Sequence, residues 1–298
     1  MKNSSIKNSF LLLLAALIWG IAFVPQKLGG NIIGNYAFNC LRSFLGGLIL
    51  IPVIFLLDLK KSPEDKKVLD KKGLLIGGIC CGIMLFFGST LQQIGLNYGA
   101  DAGKAGFITA LYMIFVPIFG LFLGRKLTPL VFSSVIIAVI GMYLLCIDGD
   151  FSMGIGDIFV LMCAPFFALH ILVIDHFVKK HDGVKLSCIQ FFTCAVISLP
   201  LMLIFDHPAY SEIYTTLPSL FYTGFLSCGV AYTLQIVGQK NMNPTVASII
   251  LSLESVFAVI AGMLFLSEGM SIREISGCIL MFMAIILTQL PQKANQKS

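Results

Sequence analysis

Few side chains in this chain are equipped for chemistry, and most of them sit inside long apolar runs. Glu254 lies in LSLESVFAVIAG, flanked by Ala247, Ser248, Ser252, Ser255, Ala258 and Ala261, and no other acid lies so far inside an apolar run. A carboxyl in such surroundings is a candidate for gaining and losing a proton near neutral pH, as proton-coupled exchange requires. The alternative is a permanently neutral or Arg-paired carboxyl that locks helices together. His170 is the second group able to titrate near pH 7, and its alternative is a satisfied packing histidine. Amides cluster twice. Ser89, Thr90, Gln92, Gln93 and Asn97 share one segment, with Thr90, Gln93 and Asn97 on one helical face, and Tyr232, Gln235 and Gln239 repeat the pattern. Polar groups in hydrocarbon are costly unless they face a bundle interior or a water-filled path, so these amides either bind a solute or glue packed helices together. Trp19, Phe23 and Tyr112 could stack on an organic substrate, cation or ring. Trp19 is the only Trp and falls near mid-depth, away from the interfacial belt. Arg42 lies about two turns from the outer end of its run; it can snorkel as an anchor, pair with a Glu, or hold a substrate carboxylate.

These residues need helices that cross a bilayer. Of the 298 residues, 57% are hydrophobic and only 12% charged, against roughly 25% charged in an ordinary soluble domain. That excludes a soluble enzyme, a secreted disulfide scaffold and a nucleic-acid binder. A crossing takes about 20 residues, and apolar stretches bounded by charge, Gly or Pro give ten spans. Their approximate limits are 9–28, 35–57, 73–97, 103–124, 128–147, 155–177, 185–205, 217–238, 244–266 and 272–290. Barrel strands would alternate in pieces of about ten residues, so the expected fold is an all-α integral membrane bundle. The segment after Lys2 and Lys7 reads as a retained first helix rather than a cleaved leader. The nine cysteines fall in apolar runs without metal-site spacing and read as small buried hydrophobes. No metal and no cofactor is expected.

The polar stretch from Asp58 to Lys72 reads as a solvated loop. With the N-terminus inside, 16 of the 20 Lys and Arg fall on the inner side, three on the outer side, and Arg42 lies within a span. That asymmetry puts both termini in the cytoplasm. Ten spans divide into five and five, so any internal repeat must be inverted. CLRSF at Cys40–Phe44 matches CIQFF at Cys188–Phe192, and AALIWG at Ala15–Gly20 matches CAPFFA at Cys163–Ala168, both at an offset of 148. TLQQIG at Thr90–Gly95 matches TLQIVG at Thr233–Gly238 at 143, and FVPIFG at Phe115–Gly120 matches FAVIAG at Phe257–Gly262 at 142. Residues 1–148 and 149–298 are therefore the two expected repeats.

Several stretches resemble the EamA branch of the drug/metabolite transporter superfamily. The most specific are AALIWGIAFV, NYAFNCLRSF, LNYGADAGKAGFITALYMIFVPIFGLFLG, GIGDIFVLMCAPFFALHILVID and LSLESVFAVIAGMLFLSEGMS. The chain departs from the family pattern at Ser255, where members usually carry Pro, and at Arg125, where they often carry an acid. The resemblance implies a multi-pass protein of the cell membrane, an inner-membrane permease with ten helices and no enzymatic activity. Its expected function is secondary active transport of a small organic metabolite, such as an amino acid or related compound, by alternating access. The implied partners are that solute and the lipid bilayer, with no nucleic acid, and a homodimer is left open. Without a Walker motif, energy must come from gradients. The alternatives are a channel or sensory membrane protein, for which there is neither filter nor signalling domain, and a membrane-embedded enzyme, for which no catalytic motif is present.

Overall fold

The computed structural model describes residues 2–59, 70–125, 127–146, 153–266 and 271–289, and among these every regular element is helical. Helices α1 (Lys2–Ile33) and α2 (Asn35–Leu59) are separated only by Gly34, whose φ of 88° is a left-handed conformation open to glycine. The first turn of α2 is satisfied from afar, because the Ala37 N–H donates to Asp206 Oδ2 at 2.7 Å. Helix α3 (Lys71–Asn97) starts at Asp70, whose carboxylate accepts from the Gly73 N–H at 2.9 Å. Helices α4 (Ala102–Ala110) and α5 (Tyr112–Phe122) form one span interrupted at Leu111. Then follow α6 (Pro129–Cys146), α7 (Ile155–Phe177) and α8 (Gly183–Leu201), the last capped by Asp182 and running on into a π-helical turn, Met202–Asp206.

Helix α9 (Tyr210–Phe221), a π-helical stretch Tyr222–Tyr232 and α10 (Thr233–Gln239) make one long span. It begins seven residues before the expected limit at 217, because hydropathy misses a polar first turn. Glu212 closes that turn, accepting from the Ala209 N–H at 2.8 Å. Helices α11 (Pro244–Leu251) and α12 (Glu254–Leu266) form a second interrupted span, and α13 (Ile272–Gln289) ends the described chain. Asn243 caps α11 through the Thr245 N–H at 2.9 Å, with Pro244 at the first helical position.

Eight of these stretches are long and apolar enough to cross a membrane, and Pro129–Leu144 and Ile275–Thr288 are shorter apolar helices. Such helices satisfy their own backbone groups, which hydrocarbon demands. Large apolar side chains such as Phe55, Phe122 and Phe205 face outward, as lipid contact requires. Inside, cohesion rests on close backbone approach, since lipid offers no hydrophobic drive for helix association. A Cβ at Gly95 would meet the Gly156 carbonyl oxygen at 2.5 Å, and one at Gly156 would meet that of Gly95 at 2.5 Å, so α3 and α7 touch only because neither has a side chain there. Helix α3 packs against α7 and α8, the π-helical stretch against α1 and α2, α10 against α1, α1 against α12, α5 against α7, and α6 against α13. The polar residues 60–69 of the expected loop and the expected repeat boundary at 148 lie outside the described residues.

Candidate functional site

At the centre of the bundle is a cavity. Its wall comprises Trp19, Phe23, Gln26, Arg42, Gln92, Thr109, Tyr112, Phe167, His170, Ile171, Ser227, Tyr232, Gln235, Leu251 and Glu254. Helix α1 contributes Trp19, Phe23 and Gln26, which share one face at spacings of four and three. It approaches closely because residue 20 is glycine: a Cβ there would meet the Glu254 carbonyl oxygen at 2.6 Å.

Two interrupted helices place the pair at the middle of the site. In the α11–α12 span, Ser248, Ser252 and Ser255 each donate to the carbonyl three residues back, at 2.8 Å, competing for the helix ladder around the break. Glu254 follows as the first residue of α12, and Tyr112 is the first residue of α5 after the break at Leu111. Both are buried; the Tyr112 hydroxyl and the Glu254 carboxyl face each other without closing a hydrogen bond of ordinary geometry.

Around them the wall is polar and aromatic. Gln92 Nε2 donates to Thr109 Oγ1 at 3.0 Å, and His170 Nε2 lies 2.9 Å from Gln190 Oε1. Tyr232 is the hub of a ring cluster, with centroids 4.6 Å from Trp19, 5.6 Å from Phe191 and 5.9 Å from His170. Arg42 does not snorkel: it is 5% exposed, its Nη1 donates to Gln26 Oε1, and its Nε donates to Asn39 Oδ1 at 3.2 Å. Asn39 is fixed in turn by Thr90 and Ser89 at 2.9 and 3.0 Å. The guanidinium also lies over the Phe38 ring, 5.5 Å from its centroid. No ion pair joins Arg42 to Glu254 among the described residues.

Trp19, Phe23, Gln92, Tyr112, His170, Tyr232, Gln235, Glu254 and Arg42 therefore meet on one wall. Gln93 and Asn97 do not reach it. Gln93 Nε2 donates to the Gln26 carbonyl at 3.0 Å and Asn97 Nδ2 to that of Gly30 at 2.7 Å, tying α3 to α1. Thr90 is taken by Asn39, and Gln239 Nε2 donates to the Ile171 carbonyl at 3.3 Å. The expected polar faces are thus split, with the amides nearest the cavity lining it and their neighbours a turn away acting as helix glue. Reading residues alone missed Gln26, Thr109, Phe167, Ile171, Ser227 and Leu251. The repeat offsets held a signal for two of these, Phe167 and Ile171, which follow from Trp19 and Phe23, and for the pairing of the wall as a whole. At 148, Trp19 and Phe23 correspond to Phe167 and Ile171; at 143, Gln92 corresponds to Gln235; at 142, Thr109 and Tyr112 correspond to Leu251 and Glu254.

A multi-pass helical bundle closed around a buried polar and aromatic cavity is the build of a membrane transporter. The chain belongs to the EamA-like transporter family, part of the drug/metabolite transporter superfamily, whose model matches residues 7–147 and again 154–290. An uncharacterized transporter of Archaeoglobus fulgidus is 31% identical over 280 residues, covering 94% of this chain and 84% of the relative. The uncharacterized transporter YoaV of Bacillus subtilis is 25% identical over 278 residues, covering 91% of this chain and 92% of its own. One solved crystal structure shares the fold with a TM-score of 0.75 over 98% of both chains, at 16% identity.

Proposed function

We propose that the protein is a secondary active transporter, an exporter or exchanger, of a small organic metabolite such as an amino acid or related compound. It works by alternating access around the central cavity, with Glu254 exchanging a proton. In this reading all ten apolar spans cross the bilayer, α6 and α13 included. Residues 1–148 and 149–298 form inverted repeats, and both termini are cytoplasmic.

The observation that carries the reading is the wall itself. Five repeat-related pairs, Trp19 with Phe167, Phe23 with Ile171, Gln92 with Gln235, Thr109 with Leu251 and Tyr112 with Glu254, all line one cavity. A site at the interface of two inverted repeats is the arrangement in which one half can rock against the other around a fixed ligand. The packing supports it: α3 against α7 and α8 is mirrored by the π-helical stretch against α1 and α2. So does the family model, which matches the chain twice.

Either end of α7 also carries an ionic contact, to α4 at one end and to the chain just past α5 at the other. Lys104 Nζ lies 2.6 Å from Asp157 Oδ2 at one end; Arg125 Nη2 and Lys179 Nζ lie 2.6 and 3.0 Å from Asp175 Oδ2 at the other. Switching by repacked ionic contacts at opposite ends is a known route between two states.

Solute counterflow tests the proposal. Proteoliposomes preloaded with unlabelled solute should transiently concentrate the labelled solute, because a carrier must return its site before taking another molecule. Passive equilibration without counterflow would identify a channel and overturn the reading.

A further inference from the structure

The five repeat-related pairs leave one wall residue whose charge has no counterpart. Arg42 corresponds, at the offset of 148, to Gln190, so only one half of the site carries a guanidinium. It is buried, yet among the described residues its partners are neutral: Gln26 Oε1, Asn39 Oδ1 and the Phe38 ring. A guanidinium offers five N–H donors. Two are used, one on Nε and one on Nη1, which leaves both hydrogens of Nη2 and the second hydrogen of Nη1. These three belong to a side chain that lines the cavity.

A buried charge left without an opposite charge is costly, and removing a partner from such a pair destabilises strongly. The acid that could neutralise Arg42, Glu254, lines the same cavity but does not pair with it. Gln26 and Asn39, the latter braced by Ser89 and Thr90, hold the guanidinium where it is. The ends of Nη1 and Nη2 form the half of the guanidinium fork that matches the two oxygens of a carboxylate. Close by, Tyr232 lies within electrostatic reach of Arg42, and its ring packs at a tilt against Trp19, whose Nε1–H is buried without an acceptor.

We propose that Arg42 is the seat for a carboxylate of the transported solute, so that the substrate class is a monocarboxylate whose remaining body lies against Trp19 and Tyr232. This rests on the transporter reading above. A single negative charge matches the single guanidinium, whereas a phosphate dianion would bring one charge more than the seat balances. Gln26 and Asn39 are positioning residues that aim the fork.

Melting temperatures of the purified protein in detergent test the seat, because a ligand of the folded state raises them with occupancy. The probes are the proteinogenic amino acids, simple aliphatic and aryl monocarboxylates, the carboxamide of each, and inorganic phosphate. At least one free carboxylate should raise the melting temperature of the wild type while its amide does not. In Arg42→Gln the affinity for that acid should fall roughly tenfold or more, the scale of a lost charge-assisted hydrogen bond, so that acid and amide behave alike. Arg42→Lys keeps the charge but not the fork and should retain a weaker preference for the acid.

An acid and its amide binding wild type equally would overturn the seat. So would a shift with phosphate alone, with amides alone or with no probe, or an Arg42→Gln protein that still prefers the acid. The acid-against-amide comparison on wild type stands even if Arg42→Gln fails to fold. Acid-selective binding without counterflow would retain the seat while defeating the transporter reading, and counterflow of an acid and its amide at equal rates would do the reverse.

Discussion

Tyr112 and Glu254 occupy equivalent places in the two halves, each the first residue after an interruption in its span, and they meet across the cavity. One half supplies a phenol where the other supplies a carboxyl, so the proton exchange we propose for this point is assigned to Glu254. If its neutral and ionised forms favour different states of the carrier, Glu254→Gln fixes one of them, because a ligand shifts an equilibrium only by its differential affinity. Substrate binding and counterflow should survive in that variant, while uphill movement driven by a pH gradient disappears together with the pH dependence of affinity. A variant that still concentrates substrate with the wild-type pH profile would make Glu254 structural and His170 the next candidate. The paired amides give a second test. Gln92→Leu and Gln235→Leu should each weaken transport or ligand binding while leaving expression and monodispersity intact, whereas two fully active variants would remove the amides from the site. Trp19, Tyr112, His170 and Glu254 could be picked out from type and depth alone. Gln93 and Asn97 could not be told from Gln92, because a shift of about 100° around a helix decides whether an amide meets the cavity or a neighbouring backbone.

The interruptions are written into their own segments only in part. The serines at 248, 252 and 255 bond back to the chain and explain the loosened ladder before α12, while nothing comparable stands at Leu111. The contacts between elements depend on glycine. Gly95→Ala drives a methyl into the Gly156 carbonyl and should destabilise the protein by about 1–3 kcal/mol, as overpacking of a tight interface does; an unchanged melting temperature would show that α3 and α7 can separate freely. At the start of α3, the Gly73 N–H bonded to the Asp70 carboxylate, with His181 Nε2 nearby at 3.6 Å, holds that carboxyl below its ordinary value of 3.8. A lowered folded value means that the cap's contribution is complete above 3.8 and is lost as pH falls through the folded value. The melting-temperature difference between wild type and Asp70→Ala should therefore be present at neutral pH and close toward zero in strong acid, below the carboxylate range. A difference that persists undiminished in strong acid would contradict the cap.

At the scale of the molecule, placing the N-terminus inside puts 16 Lys and Arg on the inner side against three outside, which predicts that the Asp58–Lys72 loop is cytoplasmic. With Lys66→Cys in a background free of reactive cysteines, a membrane-impermeant thiol reagent applied to intact cells should leave the protein unlabelled; labelling from outside would reverse the topology. The helical membrane class followed from the sequence alone, because hydrocarbon imposes on each segment a demand for length and apolarity that the segment must meet by itself. Which polar residues share a cavity was decided only by the tertiary structure. Arg42 illustrates the difference. Its position along α2 allowed a side chain reaching toward the interface, yet Gln26 of α1 and Asn39 of α2 turn it inward, with Asn39 held from α3 by Ser89 and Thr90. Side-chain direction in a bundle is set by hydrogen-bond partners on other helices, and no periodicity within a single helix records where those partners are.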